Sequence, residues 1–303
     1  MKNILLLITL AFSFNTLCNE LLYLEKLIVS EEEKEHKRLP ITEGTRRKIV
    51  WENPKNPKKT PLAVLSLHGF SATRKEIEPL PQMLAKDLGA NLYLNRLPAH
   101  GQKGDLFSGV SYQDWVKDVE NDLKIAWQLG EQVVILAVST GATLATWLVD
   151  KHPEKIKSVI YLSPLFGTAD RRTEFLTMPI LGDFLRKRMI GQYRSWKPSS
   201  EEEAMYWKYR YESSALTELV RLVKKVRRLP LREIATPSCW LYAPEDTVIS
   251  VKKLKTAYKR WGGFKNITPV STKKHIIAGK IMNPELTKPV LGLIHNNCFL
   301  RKS

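Results

Sequence analysis

The chain has 303 residues, 43% of them hydrophobic and 9% aromatic, enough for one large core or two modest ones. Lys and Arg total 48 against 31 Asp and Glu, a formal net charge of +17, which suits an anionic surface such as acidic lipid or cell envelope. The basic residues lie in short scattered runs without zinc-finger spacing or an aromatic RNA-binding pattern, so no nucleic-acid partner is expected and a lysine-rich, solvated surface accounts for most of the charge.

Residues 1–18 carry Lys2, an apolar run from Ile4 to Phe14, then small and polar residues, the pattern of a secretory signal peptide. The run is shorter than the roughly 20 residues of a spanning helix. Cleavage near Thr16 or Cys18 is expected, which makes the protein secreted, periplasmic or envelope-associated. Lipidation of Cys18 is the second reading, because Leu17 is larger than the residue a lipobox places there; an uncleaved anchor is the third. Residues 19–44 set Leu21, Leu22, Leu24, Leu27 and Ile28 at helical spacing before the run EEEKEHKR. They read as a short amphipathic helix, packed on the domain, that leads into a solvated linker.

A single domain is expected over 45–303. Arg46–Trp51 reads as a strand and NPKNPKKTP as a turn. Pro61–Leu67 is a second, wholly apolar strand that runs into His68-Gly69-Phe70. A glycine turn at the end of a buried strand leaves backbone N–H groups free to bind an anion. A helix over Lys75–Leu88, a strand over Asn91–Leu97 and a long helix over Ser111–Leu129 follow. Trp115, Val116, Val119, Leu123 and Trp127 form the inward stripe of the long helix.

Val133–Val138 is an apolar run of the length of a buried parallel strand. The chain then meets Ser139, turns at Gly141 and continues as a buried helix to Val149. A serine at a strand-to-helix turn between small residues is the pattern of a nucleophile elbow. Taken alone, Ala137-Val138-Ser139-Thr140-Gly141 fits a serine capping a core helix equally well.

Ile156–Leu162 is the next strand. From about 166 to 228 no strand is expected; helical patches bearing Trp196, Tyr206, Trp207, Tyr209 and Tyr211 read as a helical cap over one end of the sheet, its aromatic residues facing inward around an apolar pocket. The sheet resumes at Pro237–Tyr242. A helix over Ser250–Trp261, a strand over Asn266–Val270 and an amphipathic helix from Glu285 to about Leu300 complete the chain. The alternation implies a mostly parallel sheet flanked by helices on both faces. Cys239 and Cys298 would pair only if the fold brings them together; two buried, unpaired thiols are the expectation.

Ser139, Asp246 and His275 each follow the C-terminal end of a predicted parallel strand, the edge at which open α/β sheets place their sites. The chain order Ser…Asp…His is that of α/β-hydrolases. Each residue type has a chemical reason. Ser139 must lose a proton as it attacks an acyl carbonyl. His275 belongs to the one side-chain type that accepts and returns a proton near neutrality. Asp246 would hold the imidazole in the productive tautomer, and the N–H groups of Phe70 and Thr140 would bind the oxyanion. Glu245 is a rival acid, disfavoured by the spacing to Val248. His68 and His100 read as structural hydrogen-bonding residues, and His36, His152 and His295 as surface or capping ones. No metal-ligand spacing is present and no cofactor is expected.

LHGF at 67–70, RLPAHG at 96–101, AVSTG at 137–141, APEDTVI at 243–249 and TKKHI at 272–276, with the helix Ser214–Arg228 running into Ile234-Ala235-Thr236-Pro237, give a chain that resembles the capped carboxylesterase and monoacylglycerol-lipase group of α/β-hydrolases, also called serine aminopeptidase-like. The resemblance spans about Arg46 to the C-terminus. It implies a serine hydrolase that cleaves short or medium acyl esters or monoacylglycerols through an acyl-enzyme. Two positions depart from the pattern: Ala137 stands where the motif has its first glycine, and Ala99 where a glycine commonly precedes His100-Gly101. A lysophospholipase or a peptidase would use the same residues. A catalytically silent member used for binding, or a basic envelope-binding protein, are the readings from other classes.

Overall fold

The alternation of apolar strands and helices becomes a seven-stranded sheet in the computed structural model, which describes residues 2–104, 107–178 and 181–299, with 2–19, 108 and 299 as backbone alone. In chain order the elements are α1 (Lys2–Arg38), β1 (Lys48–Val50), β2 (Thr60–Leu67), α2 (Leu80–Asp87), β3 (Asn91–Leu94), α3 (Tyr112–Leu129), β4 (Gly130–Val138), α4 (Thr140–Lys151) and β5 (Ile156–Leu162). The cap follows with α5 (Leu181–Met189), β6 (Tyr193–Ser195), α6 (Glu201–Tyr206), β7 (Arg210–Glu212) and α7 (Ser214–Arg227). The body closes with β8 (Ser238–Tyr242), α8 (Val251–Arg260), β9 (Lys265–Pro269) and α9 (Thr287–Ile294). The strand order is β1-β3-β2-β4-β5-β8-β9, with β1 antiparallel to β3 and every other pair parallel.

The sheet has a core on each face, because successive strand residues point to opposite sides. Along β4, Val133, Ile135 and Ala137 join Leu65, Leu67, Tyr161 and Trp240 against α3, α4, α7 and α8. Val134, Leu136 and Val138 point the other way, to Leu84, Leu162, Leu241 and Ile294, against α2 and α9. Both faces are covered, so these strands read as continuous apolar runs.

Several segments depart from the expectation. The charged run EEEKEHKR is not a solvated linker: it continues α1 to Arg38. There Glu32 is buried against Arg96 (2.8 Å) and Arg47 (2.9 Å). The helix expected over Lys75–Leu88 is a short 3-10 turn, Arg74–Glu76, followed by α2 alone; Pro79 and Pro81 lack the N–H donors a continuous helix would need. Trp127 leaves the inward stripe of α3. It is 42% exposed and carries the Lys155 ammonium 4.5 Å from its ring centre. The cap does contain strands, since β6 and β7 pair as an antiparallel ribbon. Within the cap Trp207 and Tyr211 are buried, whereas Tyr209 faces outward. The last helix ends at Ile294 and widens into a turn over His295–Phe299.

The two cysteines expected to be unpaired form a disulfide. Cys239 in β8 and Cys298 beyond α9 are bonded, with their Cα atoms 5.3 Å apart.

Candidate active site

The elbow is built by close packing. A Cβ on Gly141 would lie 2.3 Å from the Leu67 carbonyl oxygen, so the first turn of α4 can press against the end of β2 only with glycine there. Ser139 has φ 50° and ψ −112°, a conformation that L-residues avoid. It is held from three sides: its N–H donates to Leu162 O (3.0 Å), and its carbonyl accepts from Ala142 N (3.1 Å) and Leu165 N (3.1 Å). Ala137 is fully buried in strand geometry between Leu67 and Tyr161, so the missing glycine leaves the elbow intact. Ala99 does adopt a left-handed backbone, φ 67°, where glycine would be unstrained.

The three residues predicted from different parts of the chain meet at the C-terminal edge of the sheet. His275 Nε2 lies 2.9 Å from Ser139 Oγ and its Nδ1 2.6 Å from Asp246 Oδ2. A proton on Nδ1 directed at Asp246 leaves Nε2 as the acceptor for the serine hydroxyl. The Asp246 side chain is fully buried, and its Oδ1 accepts from Val248 N (2.8 Å) and Ile249 N (3.1 Å). Burial alone would raise its pKa. The His275 bond and these two amides outweigh burial and hold the carboxyl below the ordinary aspartate value. Glu245, the rival acid, lies on the surface and pairs with Lys273 at 2.9 Å. The His275 backbone is anchored by Ser163 Oγ, which donates to its carbonyl at 2.6 Å.

The loop 68–71 runs beside the serine. A Cβ on Gly69 would stand 3.3 Å from Ser139 Cβ. Its hydrogen bonds follow a simple pattern. His68 N donates to Asn95 Oδ1 (3.3 Å), Gly69 N to the Glu76 carboxyl, and Ser71 N to His100 Nε2 (3.0 Å). Among the described residues, Phe70 N–H has no acceptor, and neither does Thr140 N–H at the open first turn of α4. His68 and His100 serve as scaffolding. His68 Nδ1 faces Gly69 O (2.8 Å) while its Nε2 accepts from Leu97 N (3.1 Å); His100 Nδ1 faces Pro98 O (2.9 Å). Burial lowers both pKa values, that of His68 to about 4, so each ring is neutral and keeps the lone pair it needs as an acceptor. His36 accepts from Ile41 N, and His295 pairs with Asp87 on the surface.

Phe70 begins an aromatic wall with Phe107, Trp115 and Tyr211, at ring-centre distances of 5.0, 5.7 and 5.3 Å. The cap closes onto this wall, with Lys208 N donating to Ser71 O at 2.7 Å. A groove of about 510 Å³ separates residues 101–104 from cap residues 204–210; its lining does not include Ser139 or His275. Sequence reasoning overlooked Glu76, a buried carboxyl next to Gly69, because it lies within a charged stretch that gives no local sign of burial.

An α/β sheet with an acceptor-bearing imidazole between a serine and a carboxylate can run nucleophilic acyl transfer. Comparison with known proteins gives the family. The family model described as serine aminopeptidase, S33 (Hydrolase_4) matches residues 58–277. The chain belongs to that family. It is an α/β-hydrolase of the lipase and esterase type. A thermostable monoacylglycerol lipase from Bacillus sp. (strain H-257) is 32% identical over 190 residues, 62% of this chain and 72% of that protein. Among solved structures, the metagenome-derived lipolytic enzymes LipS and LipT give a TM-score of 0.69 at 15% identity, covering 85% of this chain and 100% of the other. A soluble variant of monoglyceride lipase from Saccharomyces cerevisiae gives 0.62 at 14% identity, covering 84% and 94%. At such identities the likeness is one of fold.

Proposed function

We propose that the protein hydrolyses carboxylic esters, short or medium acyl esters or monoacylglycerols, with Ser139 as nucleophile, His275 as general base and acid, and Asp246 as the group that orients His275. What carries the reading is the imidazole hydrogen-bonded on both sides, 2.9 Å from Ser139 Oγ and 2.6 Å from Asp246 Oδ2. Ser139 Oγ attacks the acyl carbonyl as its proton passes to His275 Nε2, and Asp246 stabilises the cation that forms. The tetrahedral oxyanion is met by the N–H groups of Phe70 and Thr140, each contributing roughly 3 kcal/mol if typical of such donors. Collapse returns the proton to the leaving alcohol and leaves an acyl-serine. Water deprotonated by His275 then releases the acid.

The test is hydrolysis of p-nitrophenyl esters from two to sixteen carbons by wild type and Ser139→Ala, with fluorophosphonate labelling of both. Turnover and labelling that vanish together in Ser139→Ala support the reading, and the chain-length profile sizes the acyl pocket. Hydrolysis that persists in Ser139→Ala refutes it.

Signal-peptide cleavage near residues 16–18 and a place outside the cytoplasm belong to the same proposal; sequencing the N-terminus of mature protein from its host tests them. The anionic surface suggested by the net charge of +17 is supported by the cap segment 171–188, which exposes Phe175, Leu181 and Phe184 together with Arg171 and Arg188, while Lys187 there pairs with Asp183 at 2.9 Å. Binding to phosphatidylglycerol vesicles that weakens with salt is expected; equal binding to neutral vesicles removes this partner.

A further inference from the structure

We infer that Glu76 is a positioning residue of the hydrolytic site: by accepting the Gly69 N–H it turns the next amide, Phe70 N–H, toward the oxygen of the bound acyl group. The inference rests on the function proposed above and adds to it a residue that touches neither Ser139, His275 nor Asp246 in that scheme.

Three observations carry it. The first is the distribution of hydrogen bonds in loop 68–71, where the amides of 68, 69 and 71 are each bound to a side chain and only the Phe70 amide lacks an acceptor among the described residues. Each peptide plane is rigid, so holding the planes that carry the Gly69 and Ser71 N–H groups leaves only the Gly69 ψ and the Phe70 φ to set the direction of the amide between them, and restricts its rotation. The second is position. Gly69 is held between the Glu76 carboxyl and Ser139: a Cβ there would stand 3.1 Å from Glu76 Oε2 and 3.3 Å from Ser139 Cβ. The third is the anchoring of Glu76. It ends a 3-10 turn whose start is capped by Thr73, its N–H donates to Thr73 O at 3.0 Å, and the side chain is buried.

The same turn also braces the loop that carries His275. A Cβ on Gly279 would fall 2.2 Å from the Glu76 carbonyl oxygen, so only glycine lets that loop lie against residue 76, and Lys280 N donates to Glu78 O at 2.8 Å. The segment 76–78 therefore lies between the loop bearing Phe70 and the loop bearing His275. A carboxylate beside a developing oxyanion would oppose it, but burial, only partly offset by the Gly69 amide, raises the Glu76 pKa to about 8. Near neutrality the group is an uncharged acceptor.

The experiment compares Glu76→Gln, Glu76→Leu, Glu76→Asp and Ser139→Ala. Active sites are titrated with a fluorophosphonate, and kcat and KM are measured on a p-nitrophenyl ester. Glutamine keeps an acceptor oxygen at the same reach and is expected to turn over within about threefold of wild type per titrated site. Leucine removes the acceptor, and kcat is expected to fall about 10- to 100-fold with KM within about threefold, short of the 10²–10³ seen when an oxyanion donor is deleted outright. Aspartate retracts the carboxyl by one methylene and is expected to lose kcat similarly, which keeps the test decisive should the leucine variant fail to fold. A merely structural role would lower the number of titratable sites and leave kcat per site unchanged. That result in Leu and Asp, or failure of Gln to restore kcat, overturns the inference while Ser139→Ala remains inactive. An active Ser139→Ala overturns the function beneath it instead.

Discussion

Replacing Cys298 by serine should lower stability by an amount set by the loop the disulfide closes. The bond joins β8 to the turn beyond α9 across a sequence separation of 59 residues. For a loop of that length the chain-entropy relation assigns about 4 kcal/mol at 25 °C to restriction of the unfolded chain, with 2–4 kcal/mol the usual measured range. The loop encloses both Asp246 and His275, so the unfolded chain that the bond restrains is the part that must place two of the three site residues. The assay is urea unfolding of the oxidised protein, the dithiothreitol-reduced protein and Cys298→Ser, with thiols titrated in denaturant. Reduction and substitution are expected to give matching curves, displaced to lower urea by about 1 M or more. Oxidised protein should expose no thiol beyond Cys18, and reduced protein two more. Coincident urea curves, or three free thiols before reduction in a chain that retains Cys18, would refute the reasoning.

Asp246→Asn keeps the side chain's shape but no longer holds His275 in the tautomer that leaves Nε2 free, and kcat should fall about 10³–10⁴-fold in a protein that still unfolds cooperatively, with a lower melting temperature because the depressed carboxyl pKa is lost. Ala99→Gly relieves the left-handed backbone at φ 67°, worth about 1–2 kcal/mol, but glycine's chain entropy costs about 0.5–1 kcal/mol and loss of the buried methyl about 0.8 kcal/mol. Thermal unfolding should therefore change by less than about 1 kcal/mol, and a loss of about 2 kcal/mol or more would show that the left-handed backbone carries no strain. Glu174, in the 3-10 turn Arg171–Thr177, receives Arg227 (2.9 Å) from α7 and Lys253 from α8, joining cap to body. Burial raises its pKa, but the bonds from Arg227 and Lys253 prevail and bring it from 4.5 to about 2. A folded pKa below the unfolded one contributes stability that is fully present above about 4.5 and is lost as pH falls toward 2. In a sealed site the shift would be worth roughly 3 kcal/mol; solvent screening at this partly exposed group reduces it to about 1–2 kcal/mol. Glu174→Gln should therefore be less stable than wild type at pH 7 and converge with it near pH 2.

The body of the fold was legible because its strands are buried on both faces. Runs such as Val133–Val138 carry no polar interruption, and each ends where a polar residue, Ser139 or Asp246, can only sit at the sheet edge. The expected site residues were readable for the same reason, since three polar groups follow three strand ends in one characteristic order. What could not be read depends on partners distant in sequence. Glu32 and Glu35 look like a solvated charge run until Arg96, more than sixty positions away, is placed beside them. Glu76 and Glu78 are indistinguishable in the string RKEIE, yet one lies buried against Gly69 and the other pairs with Arg74 and Lys75. The β6–β7 ribbon has strands too short for alternation to register. Trp127 keeps the period of its helix but lies near the C-terminal end of α3, between Lys59 and Lys155.

The buried charges between α1 and the body are instructive in this light. Moving Arg96 and Glu32 out of water costs several kcal/mol per ion, and apolar residues of similar volume would fill the same space at less expense. An apolar filling, however, has no direction. Arg96 takes Glu32 with two nitrogens, at 3.0 and 2.8 Å, and donates a third bond to His100 O at 3.2 Å. His100 in turn directs Nε2 at Ser71 N–H and packs edge-on against Phe107 at 4.7 Å. A planar guanidinium fixed by two carboxylate oxygens can accept only one placement of the carbonyl it meets. The chain of bonds from α1 through Arg96 and His100 thus ends one residue from Phe70, on the side opposite Glu76. Loop 68–71 is specified from both ends by polar groups that a purely apolar core would lack, and the one amide left without an acceptor between them, among the described residues, is the one proposed to meet the oxyanion at Ser139.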